Sequence, residues 1–394
     1  MDTIFVTNTG SSSVKFEVFR IGPGRALTSE IAGKIEGVGT RPSLIAKSAE
    51  GKVLVERVFT NEAVPDVPAA LYQAGNWLRG EHGVHPIAVG HRVVHGGPEF
   101  DKPVLVTEDV IRRLERYIPL APLHQPHNLA SMWSIMKTRP GLPQVACFDT
   151  AFHRTHSAVA DHFAIPLGLY EEGVRRYGFH GLSYEYIAGR LKEIAPGLAQ
   201  KKVIAAHLGN GTSLCAMQDG RSVESTMGFT ALDGLPMGTR PGQIDPGVLL
   251  YLLDQHGMSG KQLQDFLYHD CGFKGLSGVS NDMRELEASA DPRAAFAIDY
   301  FVYRIAFYTG ALAAALGGLD AFVFTAGIGE NSATIRTRVA EKLSWLGVKL
   351  DETANTSHKE LISTPDSRVA VYVLPTDEEL TIARHTLALV RPVG

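Results

Sequence analysis

The sequence predicts an α/β protein composed of two related domains. Its 394 residues are more than a single ordinary core accommodates. Strand-like and helix-like patterns alternate along the chain, which favours an α/β architecture. A strand, a turn of small residues and a returning strand occur near the N-terminus and again roughly 200 residues later. Together these observations indicate that one α/β unit has been duplicated.

The first strand–turn–strand unit opens the chain. Thr3–Thr7 is apolar and β-prone, and turn-forming residues occupy positions 8–13. Apolar and polar residues then alternate from Val14 to Phe19, as expected of a strand with one buried face. The pattern therefore predicts a hairpin.

The second unit repeats this pattern. Val203–His207 is β-prone, residues 208–213 are rich in glycine and small polar residues, and Leu214–Met217 resumes the strand pattern. A later strand, Ala321–Thr325, leads into a predicted turn at Ala326–Asn331 and a helix from near Ser332. Helical periodicity is also present at 183–194, 246–255 and 378–390.

No low-complexity linker marks the division between the domains. We place it near Asp149–Thr150, which gives an N-terminal domain of residues 1–149 and a C-terminal domain of residues 150–377. The closing helix, about residues 378–394, is free to pack on either half, and we assign it to the N-terminal domain.

Composition excludes several classes of partner. The chain has 38 basic and 42 acidic residues and no basic block, so we predict no binding to nucleic acid or to an anionic membrane. The three cysteines are widely spaced, which favours reduced thiols. No secretory signal is evident, and the apolar stretch Ile305–Leu319 is short for a membrane span. We therefore predict a cytoplasmic protein that contains a buried helix at this stretch.

Three glycine-containing turns are candidate phosphate sites. Gly10 precedes Ser11, Ser12 and Ser13 with Lys15 close by, and similar turns occur at 209–213 and 327–329. Phosphate oxygens need close backbone N–H donors, which glycine leaves accessible. The alternative is that each is only a hairpin turn, since glycine and serine dominate turns. The sequence contains neither a Walker A loop nor a complete GxGxxG fingerprint.

Two arginines occupy unusual positions. Arg92 lies inside an apolar, strand-like run, and Arg240 lies in the loop 237–242. A buried guanidinium needs an anionic partner, so each either forms a structural ion pair or clamps a carboxylate or phosphoryl group.

Other polar candidates follow strands or begin helices. Asp149 ends an apolar strand, a position where ligands collect in open α/β sheets, although a helix cap is the alternative. His180 lies in a glycine-flanked turn and is either functional or structural. Glu378 and Glu379 open the last helix, where acidic residues are favourable.

The histidine pairs His91/His95 and His124/His127 have a spacing that can bind zinc. Glycines around the first pair argue against a helix there, and no HExxH motif is present, so we disfavour a zinc site.

Nine motifs together resemble the acetate kinase family. In chain order they are NTGSSSVKF, HRVVHGG, LAPLHQPHNL, ACFDTAFH, RYGFHGLSYEY, HLGNGTSL, MGTRPGQIDPG, TAGIGEN and PTDEEL. The family belongs to the superfamily of sugar kinases and actin. The resemblance implies two duplicated actin-like, ribonuclease H-like domains with a nucleotide cleft between them, and a homodimer.

The resemblance also implies roles for individual residues. The catalytic group would be Asp149, His180, Arg240 and Arg92. Acetate would be bound by Arg92, with Val94, Leu123 and Phe179 around its methyl group. Mg²⁺, with Mn²⁺ as an alternative, would be held by Asn8 and Glu378. ATP or ADP would be bound by Ser11, Ser13, Lys15, His207, Leu208, Gly209, Asn210, Gly211, Asp282, Met283, Arg284, Gly327, Ile328, Gly329, Glu330 and Asn331. His124 matches a family histidine near the phosphoryl group.

The implied function is reversible in-line transfer of the ATP γ-phosphoryl group to acetate, giving acetyl phosphate for acetyl-CoA synthesis. A propionate or butyrate kinase of the same family is the nearest alternative. A sugar kinase and a non-enzymatic, actin-like ATP-binding protein are more distant ones. Several positions depart from the family pattern, among them Ala231, which replaces a proline of the acyl pocket, and Pro241 and Gln243, which lie beside Arg240 where serine and aspartate are common.

Overall fold

The structure is a computed structural model that describes residues 2–391. Its strands form two sheets, and their bounds are β1 Thr3–Thr9, β2 Ser13–Ile21, β3 Leu27–Glu36, β4 Ser43–Ser48, β5 Val53–Val58, β6 Pro86–Val93, β7 Val104–Leu105, β8 Gln144–Phe148, β9 Lys202–Leu208, β10 Thr212–Gln218, β11 Arg221–Ser225, β12 Ala321–Thr325 and β13 Ala370–Val373. The helices are α1 Val67–His82, α2 Glu108–Glu115, α3 Gln125–Thr138, α4 Ala158–Asp161, α5 Leu167–Glu171, α6 Gly181–Ile194, α7 Pro246–Asp254, α8 Gly260–His269, α9 Gly272–Ser277, α10 Met283–Ala288, α11 Pro292–Leu316, α12 Ala326–Asn331, α13 Ala333–Lys342, α14 Glu352–Thr356 and α15 Glu378–Val390. Short 3₁₀ turns lie between several of these elements.

The chain divides into two compact units. The first contains the described residues of Met1–Phe152 and Asp377–Gly394, and the second contains His153–Thr376. Helix α15 packs on β1, β6 and β8, so the last described helix belongs to the same unit as the first strand.

The two sheets share a topology. The first has the order β5-β4-β3-β2-β1-β6-β8-β7, and the second has the order β11-β10-β9-β12-β13. In each, a hairpin strand pairs antiparallel with the next strand and parallel with a later one: β1 with β2 and β6, and β9 with β10 and β12. A further parallel strand, β8 or β13, follows in each sheet. The predicted duplication is therefore confirmed.

The central strands are buried along their whole length. Every residue of β8 (QVACF) and β12 (AFVFT) is buried, which is the pattern of strands covered on both faces. Such strands position the residues at their carboxyl ends on a rigid base. In this protein those residues include Asp149 after β8 and Ala326 after β12.

The apolar stretch near residue 305 belongs to a long helix of the second unit. Helix α11 starts after the capping residue Asp291 and ends where Gly317 adopts φ 65°. One face of α11, including Ile298, Phe301 and Ile305, lies in the core, as expected for a buried helix. Among residues 2–391, no helix is both long enough and apolar enough to cross a membrane.

One predicted turn is wrong. Residues 326–331 were expected to form a turn ahead of a helix, but they form the short helix α12 directly after β12. Ala326 makes the change of direction alone, with φ 63°, so the glycines at 327 and 329 lie inside helical backbone. The next helix, α13, begins where it was predicted, with the Ser332 hydroxyl as its N-cap. The other predicted helices match α6, α7 and α15 within two residues.

Candidate active site

The first unit brings Arg92 and Asp149 together. Arg92 lies at the end of β6, and Asp149 follows the neighbouring strand β8. The guanidinium donates from Nε to Asp149 Oδ1 at 2.9 Å and from Nη2 to Asp149 Oδ2 at 2.7 Å. This two-bond arrangement uses one edge of the guanidinium and leaves the two N–H groups of Nη1 and the second N–H group of Nη2 for other acceptors.

Asn8 and Glu378 lie around the same guanidinium. The Oδ1 atom of Asn8, at the end of β1, accepts from Arg92 Nη1 at 3.4 Å. Glu378 Oε2, in the first turn of α15, lies 3.5 Å from Arg92 Nε. The first unit therefore assembles four of the predicted residues from four separate elements.

The charge balance at this cluster favours a permanent cation. Burial opposes the charge of Arg92, but Asp149 and then Glu378 raise its pKa above the ordinary arginine value. The Asp149 side chain is only 2% exposed, so its interaction with Arg92 is little screened by water. Burial, and next the charge of Glu378, raises the pKa of the neighbouring Glu379.

The donor set of Asn8 and Glu378 suits a magnesium ion. An amide oxygen and a carboxylate oxygen are the ligand types that Mg²⁺ prefers, and Mg²⁺ commonly takes one or two protein ligands together with phosphate and water. Asn8 Oδ1 lies 3.4 Å from Nη1 of Arg92, and Glu378 Oε2 lies 3.5 Å from Nε of the same side chain. A separate group of Glu17, Asp377 and Glu379 is the one set of three metal-capable side chains within 4.8 Å among the described residues.

Neither histidine pair belongs to a group of three metal-capable side chains within 4.8 Å of one another among the described residues. His91 Nε2 lies 2.8 Å from Gln144 Oε1, and His95 Nδ1 accepts from the Gly97 amide at 2.9 Å. These histidines hold backbone and side chains in place.

The predicted phosphate turn links β1 and β2. Gly10 and the serines at 11 and 12 form this turn, while Ser13 and Lys15 lie on β2. Lys15 is paired in register with Asn8, and its side chain is exposed. The Lys15 ammonium group is therefore accessible to an anion beside Asn8, the predicted magnesium ligand on β1.

Asn128 is a positioning residue that sequence reasoning missed. Its side-chain nitrogen donates to the Thr9 carbonyl at 2.8 Å, and its oxygen accepts from the Val94 amide at 3.1 Å. It thereby ties together the ends of β1 and β6, which carry Asn8 and Arg92. The motif LHQPHNL contained the signal, since a buried asparagine needs partners, but the sequence does not reveal which strands it joins.

The second unit positions His180 through an unusual backbone. His180 is the N-cap of α6 with φ 56°, a left-handed conformation that is uncommon for residues other than glycine. Its Nδ1 lies 2.8 Å from Ser213 Oγ, and its ring stacks on His207 at 4.1 Å with 16° between the planes. His153 Nε2 lies 2.8 Å from the carbonyl oxygen of Phe179, and this hydrogen bond fixes the residue that precedes His180.

Arg240 and His180 approach the same point above Gly211. A Cβ atom built on Gly211 would lie 2.9 Å from Arg240 Nη2 and 3.2 Å from His180 Nε2. Arg240 also donates from Nη1 to the Ala231 carbonyl at 2.7 Å. Burial lowers the pKa of Arg240, with Tyr268 opposing this effect. A desolvated cation and a ring nitrogen thus converge beside the second glycine turn.

The loop that carries Arg240 differs from the family pattern at Pro241 and Gln243, but contacts with other parts of the second unit still hold it in place. A Cβ on Gly238 would lie 2.1 Å from Asn210 Oδ1, so any larger residue here would displace the Asn210 amide. Gln243 Oε1 accepts from Arg304 at 2.6 Å and from the Tyr308 hydroxyl at 2.9 Å, which gives this substituted residue a structural role.

A cavity of about 680 Å³ is lined by eight of the sixteen residues that were predicted to bind the nucleotide. It lies in the second unit, and its lining residues are Gly209, Asn210, Phe273, Asn281, Asp282, Met283, Arg284, Glu287, Gly327, Ile328, Asn331 and Ser332. Phe273, Asn281, Glu287 and Ser332 were not predicted from sequence. His207, Leu208, Gly211, Gly329 and Glu330 do not line it, and Leu208 is fully buried in the core.

The predicted acyl-pocket residues divide between the units. Val94 and Leu123 are half-buried in the first unit. Phe179 belongs to the second unit, where its side chain is 2% exposed. Contact among the three remains a prediction.

Comparison with known proteins identifies relatives along almost the whole chain. The model of the Acetokinase family matches residues 3–384. The acetate kinase of Nitrobacter hamburgensis is 64% identical over 389 residues, covering 99% of this chain and 96% of that protein. The acetate kinase of Rhizobium meliloti is 57% identical over 390 residues, covering 99% of both proteins.

Two solved structures resemble the fold closely. A Porphyromonas gingivalis acetate kinase has a TM-score of 0.89 at 37% identity. A Francisella tularensis propionate kinase has a TM-score of 0.92, also at 37% identity. Each comparison covers 99% of this chain and 100% of the other.

Proposed function

The chain belongs to the acetokinase family, and on this premise we propose that it catalyses reversible phosphoryl transfer between ATP and acetate, giving ADP and acetyl phosphate. The observation that carries the proposal is the approach of Arg240 Nη2 and His180 Nε2 to Gly211, next to the nucleotide cavity. Phosphoryl transfer demands this kind of fixed positive charge and hydrogen-bond donation more than it demands covalent chemistry.

In the proposed mechanism, an acetate oxygen attacks the γ-phosphorus in line with the leaving oxygen of ADP. One P–O bond forms as the bond to the β-phosphate oxygen breaks, so no proton transfer is required. Arg92 binds the acetate carboxylate through donors that Asp149 leaves available. Arg240 and His180 stabilise the charge on the equatorial oxygens.

Mg²⁺ held by Asn8 and Glu378 would neutralise charge on the ATP phosphates. Asp149 then serves to orient Arg92 and to balance its charge, because both carboxylate oxygens accept from that arginine. Ser11, Ser13 and Lys15 would hold the phosphates, and the remaining predicted residues would hold the nucleoside. The proposal requires the residue groups of both units to act on one phosphoryl group.

Acetate is the proposed acceptor, with propionate the nearest alternative. Relatives described as acetate kinases reach 64% identity, whereas the propionate kinase structure is 37% identical. Ala231 in place of a proline favours a larger acyl pocket. One methylene in the acyl chain of the substrate changes the discrimination between substrates by about 1–3 kcal/mol. Comparing kcat/KM for acetate, propionate and butyrate separates these substrates.

We also propose that the protein is a cytoplasmic homodimer. Aromatic residues lie exposed along α11, namely Phe296, Tyr303 and Phe307, each more than half exposed, and Trp345 lies against the same helix at Gly310. Exposed aromatic surface of this kind is typical of subunit contacts. Sedimentation of the wild type and of Tyr303→Asp tests the assignment: a dimer that becomes a monomer supports it, and a monomeric wild type contradicts it.

The activity has a direct assay. Purified protein is incubated with ATP, Mg²⁺, acetate and hydroxylamine, which traps acetyl phosphate as a hydroxamate. We expect hydroxamate formation that stops when EDTA removes the metal. Absence of product with every short carboxylate tested, in protein that is folded by circular dichroism, contradicts the proposal.

A further inference from the structure

A second cavity, of about 530 Å³, lies in the first unit and contains none of the predicted site residues. It is lined by residues of α1 and α3, of the segments that follow these two helices, and of strands β1 and β6. Its apolar surface is formed by Phe5, Leu71, Leu78, Val84, Val89 and Leu142. A cavity of this size and lining is suited to a small organic molecule.

The rim of this cavity is cationic. Arg79 and Arg139 both line it, and no aspartate or glutamate does. The Arg79 guanidinium lies over Gly75, where a built Cβ would be 2.9 Å from Nη1, and it donates to Asn76 Oδ1 at 2.6 Å. No ion pair involves either arginine among residues 2–391. Partial burial, and then the charge of Arg139, lowers the pKa of Arg79, so the two cations influence each other.

Two like charges beside an apolar surface favour a ligand that has both an anionic group and an apolar body. Inorganic phosphate would leave the apolar lining hydrated, and a neutral hydrocarbon would form no charge-assisted hydrogen bond with the exposed Arg139 or the partly buried Arg79. We propose that this cavity binds a small organic anion with an apolar tail, such as a medium-chain carboxylate, with the anionic group between Arg79 and Arg139.

The cavity reaches the strands that carry the candidate active site. Phe5 on β1 is paired with Val89 on β6, and both line the cavity. Asn8 and Arg92 lie three residues further along the same two strands. Side chains three positions apart on a strand point to opposite faces. A ligand in the cavity therefore packs behind the strands whose other face presents these residues. The proposal extends to an effector role at the acetate site, and this part rests on the proposed function.

Titration calorimetry of the full chain with decanoate, below its micelle concentration, tests the binding. We expect saturable binding to one site and much weaker binding of decyltrimethylammonium, which has a similar tail and the opposite charge. The double variant Arg79→Gln/Arg139→Gln should weaken decanoate binding at least tenfold. Arg41→Gln is the matched control, because Arg41 is an exposed arginine of the same unit that does not line the cavity.

Equal affinity of the double variant and the wild type, or equal binding of the cationic amphiphile, overturns the proposal, as does the absence of saturable binding. These measurements do not depend on phosphoryl-transfer activity, so they stand if the proposed function fails. For the effector role, decanoate should change the KM for acetate at least twofold in the wild type and leave it unchanged in the double variant. A KM unaffected at saturating decanoate contradicts that role.

Discussion

A short chain of hydroxyl groups reaches the Nδ1 atom of His180. Ser213 Oγ lies 2.8 Å from His180 Nδ1 and 2.6 Å from the Tyr184 hydroxyl. If the Tyr184 hydroxyl donates a hydrogen bond to Ser213 Oγ, the serine hydroxyl donates in turn to His180 Nδ1. The neutral ring then carries its own proton on Nε2. Nε2 is the nitrogen near Gly211 and Arg240, where a donor to a phosphoryl oxygen is needed.

Ser213→Ala should therefore reduce kcat more than it changes the KM for ATP. Removing a direct oxyanion donor typically costs 10²–10³-fold in rate, so we expect a loss on the order of tenfold to a hundredfold when only its positioning is lost. Ser213→Thr, which retains a hydroxyl, should restore most of the rate. Steady-state kinetics of both variants provide the test, and an alanine variant as fast as the wild type contradicts this role.

Arg92 contributes geometry as well as charge. Lysine retains the charge but cannot form two parallel bonds to Asp149. We expect Arg92→Lys to lower kcat/KM for acetate about a hundredfold, which corresponds to ~2.7 kcal/mol of transition-state stabilisation, while the KM for ATP stays close to that of the wild type. Arg113→Lys is the control, because Arg113 forms a partly exposed ion pair with Glu99 in the same unit and should have little effect. Equal losses in the two variants would show that the bidentate geometry is unimportant.

At the scale of elements, α12 depends on a buried arginine from the next helix. Arg336 of α13 is fully buried and donates from Nη1 to the carbonyls of Gly329 and Glu330, at 3.0 and 2.8 Å. Its Nε donates to Asn355 Oδ1 at 2.7 Å. These bonds satisfy carbonyls at the end of a helix that has only six residues, and they fix the segment that lines the nucleotide cavity.

Arg336→Met should lower the free energy of unfolding by about 2–4 kcal/mol, because buried carbonyl groups lose their donors. The KM for ATP should rise as α12 loosens. Arg338→Met on the same helix is the matched control, since Arg338 forms a more exposed pair with Asp299 and should cost below about 1 kcal/mol. Denaturant unfolding of the two variants makes the comparison, and similar losses would contradict this role for Arg336.

Elements were more predictable than the contacts between them. Apolar periodicity gave β12 and α15 with the bounds that the structure has, because buried strands and capped helices have strong local signals. Helix α12 was missed because a single alanine with positive φ replaces the turn that its glycines suggested. Arg336 and Asn128 were missed because their partners are distant in sequence or belong to the backbone, and a single sequence does not reveal such partners.

At the scale of the whole molecule, buried histidines make the fold sensitive to acid. Burial lowers the pKa of His91 to about 4, with Gln144 partly opposing the shift, and lowers the pKa of His153 to about 3. The unfolded chain binds these protons near pH 6.5, whereas the folded chain does not. Stability from these groups is thus fully present above pH 6.5 and is lost as the pH falls towards 4.

His91→Gln should flatten this dependence in the first unit. The side chain keeps hydrogen-bonding atoms but no longer titrates, so the loss of unfolding free energy between pH 6.5 and 4 should shrink by at most about 3 kcal/mol. Thermal unfolding of the wild type and the variant across this range measures the effect. The same slope in both proteins would show that another group dominates.

The path of the chain between the units also has a consequence for biosynthesis. The second unit, His153–Thr376, is inserted between two pieces of the first, and α15 completes the first unit by packing on β1, β6 and β8. A ribosome therefore makes Asn8, Arg92 and Asp149 early but supplies Glu378 only after the entire inserted unit. Because domains tend to fold as they emerge, the second unit can mature while the first still waits for its last helix. The nascent enzyme would consequently acquire Glu378, the proposed carboxylate ligand of Mg²⁺, as one of the final steps of synthesis.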